Sequence, residues 1–166
     1  EEVQSEDGEK LPEVEKGMMV EVPSAVHLLP DLLEHCDFAS VGTNDLVQYT
    51  LAADRNSERM ARSYDPCHPA VIRILAEIQE AAQECGKPVS ICGESAADTH
   101  FLPILLGLGF ERLSVNVGSV PYVKRAVRQV SLADCRRLAR EALEADRSEQ
   151  IHELADAFFE RHIDEE

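Results

Sequence analysis

Glu21, Asp45, Cys92 and Asn116 fall into two pairs with one spacing. Glu21 and Asp45 are 24 residues apart, and so are Cys92 and Asn116. Each lies at or just after the end of a short apolar run, over 17–22, 38–42, 88–92 and 112–116. Two carboxylates with no imidazole or thiolate beside them suit a hard cation, Mg²⁺ or Mn²⁺. Its remaining positions then go to water and to a substrate phosphate. Thr43 and Asn44 add backbone N–H groups and a side-chain amide where a helix should begin, which favours an anion. The chemistry on offer is metal-assisted work on an anion, with a thiol at hand. Bland readings compete. Asp45 opens a helix and could simply cap it. Arg55 could be a surface arginine, and Cys92 one more core thiol. Glu21 is harder to explain away, because Val20 and Val22 flank it in an apolar strand.

The elements that must position these groups alternate in type. The four apolar runs read as strands. Helical spacing follows each, over 24–36, 45–53, 68–85, 98–107 and from Ser119 to about 129. Pro30 should restart the first helix at its own position. His68 before Pro69 reads as a helix-start residue, not a catalyst. Two helices close the chain. Ser131 and Asp134 resemble a capping box for 132–145, and 148–162 carries Ile151, Leu154, Ala155, Phe158 and Phe159 as an apolar stripe. Strands that alternate with helices pair in parallel, since each return crosses over through a helix. Four such units are half of a (βα)₈ barrel, or else an open doubly wound sheet. In both, function gathers at the C-terminal strand ends. Neighbouring parallel strands lie about 4.8 Å apart, so carboxylates on adjacent ends can share one cation. The expected organisation is a polar lead-in over 1–16, a half barrel over 17–130, and a helical pair over 131–166 packed on the same domain.

Composition narrows the partners. The sequence has 166 residues and a formal charge of −16. That disfavours nucleic acid, whose phosphates need a basic patch. The acidity is uneven: residues 141–166 hold ten acidic and two basic side chains, whereas 17–140 hold fifteen and twelve. An anion site in the middle is therefore not swamped by local negative charge. No apolar run approaches the roughly 20 residues of a membrane span, and the five cysteines show no repeated spacing. They read as reduced thiols of a cytoplasmic protein. Cys36 beside His35 and Cys67 beside His68 make no zinc-site spacing, so no structural zinc is expected.

Four blocks occur in order: Gly17-Met18-Met19-Val20-Glu21-Val22-Pro23, then Ser40-Val41-Gly42-Thr43-Asn44-Asp45-Leu46-Val47-Gln48-Tyr49-Thr50-Leu51-Ala52-Ala53-Asp54-Arg55, then His68-Pro69-Ala70-Val71, then Cys92-Gly93-Glu94. From about Gly17 onward the sequence resembles the phosphoenolpyruvate-binding C-terminal domain of enzyme I of the bacterial phosphotransferase system. Pyruvate phosphate dikinase and phosphoenolpyruvate synthase are similar at the second and fourth blocks, and the third favours enzyme I.

The resemblance implies a (βα)₈ barrel of which this chain is strands five to eight. It implies Glu21 and Asp45 as Mg²⁺ ligands and Asn44 and Arg55 as contacts to the phosphate of phosphoenolpyruvate. Cys92 is implied as the acid that protonates the enolate carbon. An ordinary thiol is mostly protonated at neutral pH and can give that proton. The family passes the phosphoryl group to a histidine of an N-terminal domain and then to the carrier protein HPr. The histidine segment, and the arginines of the first four strands, are expected outside this sequence. The chain alone should not complete a phosphotransfer cycle. Two other readings stay open: the matching piece of a dikinase or synthase, and a non-catalytic half barrel whose open edges drive self-association.

Overall fold

A computed structural model of the chain describes residues 13–54, 60 and 63–163. Four strands form one sheet: β1 (Gly17–Val20), β2 (Phe38–Gly42), β3 (Val89–Cys92) and β4 (Arg112–Leu113). All neighbours pair in parallel, and the spatial order is the chain order. A doubly wound sheet would reverse its order at a switch point. The sequential order is that of consecutive barrel units, with half the strand count of a (βα)₈ barrel.

Between the strands run α1 (Pro23–His27), α2 (Leu29–Leu33), α3 (Thr43–Leu51), α4 (Pro69–Glu84) and α5 (Leu102–Leu108). After β4 come α6 (Val120–Gln129), α7 (Leu132–Glu144) and α8 (Ser148–His162). Sequence explains most boundaries. Pro23, Pro30, Pro69, Pro103 and Pro121 all stand in a first turn, where a missing N–H costs nothing. His68 caps α4, its Nδ1 accepting from Ala70 N at 3.1 Å. Ser131 caps α7, its Oγ accepting from Asp134 N at 3.1 Å.

Several boundaries differ from expectation, three of them for a clear local reason. β1 stops at Val20, because Pro23 already starts α1. α5 begins at Leu102, not 98. The Asp98 carboxylate accepts from His100 N and Phe101 N and holds 99–101 as a turn ahead of it. β4 is two residues long, although Ser114 N still donates to Ile91 O at 2.8 Å. Beyond it the Asn116 amide turns back to accept from Ser119 N at 3.0 Å and opens a 3₁₀ turn.

Burial alternates along the strands. Val20, Val41 and Ile91 share one row and are fully buried. The row before it, Met19, Ser40 and Ser90, faces the other way, and Met19 is 49% exposed. Helices therefore cover one face, as right-handed crossovers in sequential order require. The same core takes in Leu33, Leu75, Ile78, Phe101 and Ile104, together with Cys135, Leu138, Ile151 and Phe158 of α7 and α8. The closing helices thus share the core under the sheet. At Gly107 a Cβ would fall on the Cys135 carbonyl, so α7 packs backbone-close on α5. No helix among the described residues is long and apolar enough to cross a membrane.

Candidate active site

The C-terminal ends of the strands gather four of the five predicted residues. Arg55, the fifth, lies outside the described residues. Gly42 of β2 pairs with Cys92 of β3, and Glu21 follows Val20, the partner of Val41. Glu21, Gly42 and Cys92 therefore form one row across three strands. A Cβ built on Gly42 would lie 3.1 Å from both the Cβ and Oε2 of Glu21, and 3.4 Å from Met19 Sδ. So the Glu21 side chain lies over the end of β2, in space that glycine leaves open. Cys92, on the far side of Gly42, brings its Sγ within 3.7 Å of the same Met19 sulfur. Carboxylate and thiol thus flank a glycine floor. The Met19 sulfur sits against both Gly42 and Cys92.

The thiol is held by its neighbours. Its S–H donates to Val41 O at 3.2 Å, and Ser40 Oγ donates to the sulfur at 3.5 Å. Ser40 in turn accepts from Ser90 Oγ at 3.0 Å. Period-two alternation could have found Ser40 and Ser90, which share the face of Cys92.

The first turn of α3 clamps the turn after β3. The buried Thr43 donates its hydroxyl to Cys92 O at 2.8 Å, and Asn44 Oδ1 accepts from Glu94 N at 3.0 Å. That second bond commits the Asn44 oxygen and leaves its Nδ2 amine as the donor. Gly93 makes the clamp possible. Its φ of 101° and ψ of −176° belong to a region that is essentially glycine's alone. A Cβ there would also stand 2.5 Å from Thr43 Oγ1. No sequence signal marked Thr43 for this role.

Asn44, Cys92, Gly93 and Glu94 line a cleft of about 760 Å³, closed by Tyr64 and Pro66 on one side and by Ser114, Val115 and Asn116 on another. Glu21 and Asp45 are not among the described residues lining it. Glu21 stands one strand over, and Asp45 is the third residue of α3. The structure thus brings Asn44 and Cys92 to one cleft, with Glu21 following β1 and Asp45 in the first turn of α3. Glu21 after β1 and Asp45 after β2 are carboxylate oxygen donors of the kind a hard cation takes. Two other cysteines are perturbed. Burial, with the Asp65 carboxylate next in weight, pushes Cys67 up to about 12, and burial pushes Cys135 up to about 11.

The sequence matches the family described as PEP-utilising enzyme, PEP-binding domain over residues 1–132. The chain belongs to the PEP-utilising enzymes. Similar curated relatives carry phosphotransferase names. A Phosphoenolpyruvate-dependent phosphotransferase system protein of Salmonella typhimurium is 44% identical over 160 residues, 96% of this chain and 21% of its own length. A Phosphoenolpyruvate-protein phosphotransferase of Staphylococcus carnosus is 38% identical over 146 residues, 88% of this chain and 26% of its own. Multiphosphoryl transfer protein 1 of Escherichia coli is 42% identical over 142 residues, 86% of this chain and 17% of its own. The PEP-utilising chain thus spans about a quarter or less of these relatives.

Proposed function

We propose that this chain forms part of a phosphoenolpyruvate–Mg²⁺ site in a phosphoenolpyruvate–protein phosphotransferase. The observation that carries the reading is the strand-end row Glu21–Gly42–Cys92, with the Glu21 carboxylate lying over the glycine. Glu21 and Asp45 are the ligands for Mg²⁺, with Mn²⁺ able to replace it. When bound, the ion offsets charge on the phosphoryl group. Asn44 presents its amine to the phosphate, and Arg55 is assigned the same anion. The P–O bond to the enol oxygen breaks as the phosphoryl group passes to the acceptor histidine, and Cys92 gives its proton to the carbon of the enolate left behind. It stands in the cleft with its sulfur held by Ser40 and Val41. The site residues fall within 17–130, and the helical pair over 131–166 serves the fold.

The whole protein's partners are part of the proposal: a phosphohistidine domain and the carrier HPr. The names of the relatives support a phosphotransferase over a dikinase or synthase. The uncovered sheet face, with Met19 half exposed, also favours association. Two copies of this chain would cover it, and a clean monomer by light scattering at micromolar concentration contradicts that part.

The test of the chemistry is a chimera. This chain replaces the matching segment of the Staphylococcus carnosus phosphotransferase, and pyruvate methyl exchange is followed by proton NMR in D₂O with Mg²⁺. The chimera should exchange. Cys92→Ala should slow exchange by about 10²–10⁴ while phosphoenolpyruvate still binds. Exchange unchanged in that variant removes Cys92 from its role.

A further inference from the structure

The segment before α4 and the last helix bring three metal-binding side chains together, away from the strand-end row. Asp65, Cys67 and His152 each offer one ligand atom, and the three atoms lie within 4.8 Å of one another. We propose that Asp65, Cys67 and His152 bind a zinc-class divalent cation that ties this segment to α8. The spacing of cysteines and histidines along the chain gave no hint of it, because His152 arrives from a helix far away in sequence.

The donor set decides the class of ion. One nitrogen, one sulfur and one oxygen suit Zn²⁺ and its borderline neighbours, not Mg²⁺. Tetrahedral ligands at Zn²⁺ distances stand roughly 3.3–3.7 Å apart. His152 Nε2 is already 3.1 and 3.2 Å from the two Asp65 carboxylate oxygens. In the metal-free chain its N–H donates to that carboxylate, and a cation takes the proton's place between the same atoms. Cys67 Sγ lies within 4.8 Å of both. Asp65 is fixed by Cys67 N, which donates to Oδ1 at 2.9 Å. Three protein ligands leave the fourth position to water.

The surroundings carry matching charge. Asp98 and Asp156 are the next carboxylates around the Cys67 sulfur. Asp156 is itself held by His100 at 2.7 Å, whose ring stacks on Phe159 at 3.9 Å between centroids. The site also touches the cleft. Tyr64 and Pro66 line it, and they alternate along the chain with the ligands Asp65 and Cys67. A cation here fixes that wall.

The test uses the purified chain, stripped with a chelator, and Co²⁺ as the probe. The expected result is a thiolate-to-cobalt charge-transfer band in the near ultraviolet, saturating at one equivalent. Zn²⁺ should displace it and millimolar Mg²⁺ should not. Cys67→Ser should lose the band although four other cysteines remain. His152→Ala, a change at a half-exposed side chain, should keep the fold by circular dichroism and weaken Co²⁺ binding at least about tenfold. Zn²⁺ should raise the Tm of the unmodified chain and leave that of His152→Ala unmoved. Absence of the band, its survival in Cys67→Ser, or unweakened binding in His152→Ala overturns the proposal. None of these readouts depends on phosphoenolpyruvate.

Discussion

The two faces of the sheet do different work. On the helix-covered face Val20, Val41 and Ile91 are sealed from solvent. On the other, one residue further along, stand Glu21, Gly42 and Cys92. A single step along each strand separates the residues that hold the fold from those assigned to chemistry. The period of two in strand side chains is the cause. The core can therefore be varied without touching the row, and the row without opening the core. Five substitutions and one labelling experiment test that separation.

The largest contrast is in thiol reactivity. Cys67 and Cys135 are buried and raised to about 12 and 11. A raised thiol pKa removes thiolate at ordinary pH and returns it only as pH climbs toward those values. At pH 8 both should react with iodoacetamide at least about a hundredfold more slowly than an unperturbed thiol, and should label on unfolding. Cys92, half-buried at the cleft, should label in the folded chain. Mass spectrometry of time points reads this directly. Early labelling of Cys135 would mean that α7 does not stay packed.

Stability differences come next. Ile91→Ala empties a fully buried site and should cost about 2–5 kcal/mol in urea unfolding. Cys92→Ala, its neighbour on the other face, should cost much less. Equal losses would erase the distinction between the faces. Gly93→Ala must adopt a backbone region that only glycine favours, and its Cβ meets Thr43 Oγ1. It should cost about 1–3 kcal/mol. It should also loosen the Thr43–Cys92 clamp, seen as faster amide exchange over 92–94. Ser131→Ala removes a helix cap far from the cleft and should cost about 1 kcal/mol, with no change in ligand binding.

The smallest effect on stability is expected at Gly42. A methyl group there crowds Glu21 without touching the core. Gly42→Ala should unfold within about 0.5 kcal/mol of the parent, as substitutions away from core, caps and strained backbone do, yet bind Mg²⁺ several-fold more weakly by calorimetry. Unchanged Mg²⁺ affinity would detach Glu21 from the metal.

Much of this arrangement was legible in the chain. Prolines at first turns, Ser131 before Asp134, and the alternation of apolar runs with helical spacing are local signals, and the folded chain keeps them. The strand ends followed from the same signals, so Glu21, Asn44, Asp45 and Cys92 could be named together. What was illegible depends on contacts between distant segments. Nothing near Thr43 says that its hydroxyl will meet the carbonyl of Cys92. Nothing near Cys67 points to His152, which only the packing of α8 brings close. Asn116 was placed at a strand end, but its amide serves the following turn. A polar side chain one residue past a strand can serve a site or a cap, and the sequence does not separate the two.

The central proposal is that Glu21 and Asp45 together hold a hard cation at the strand ends. Paramagnetic broadening by Mn²⁺ in the amide spectrum of this chain tests it most directly. Resonances of 21 and 42–45 should broaden first, those of 92–94 next, and those of 131–134 not at all. The double variant Glu21→Gln, Asp45→Asn should lose that pattern. Broadening centred on the acidic C-terminal helices, or unchanged in the double variant, would contradict the account.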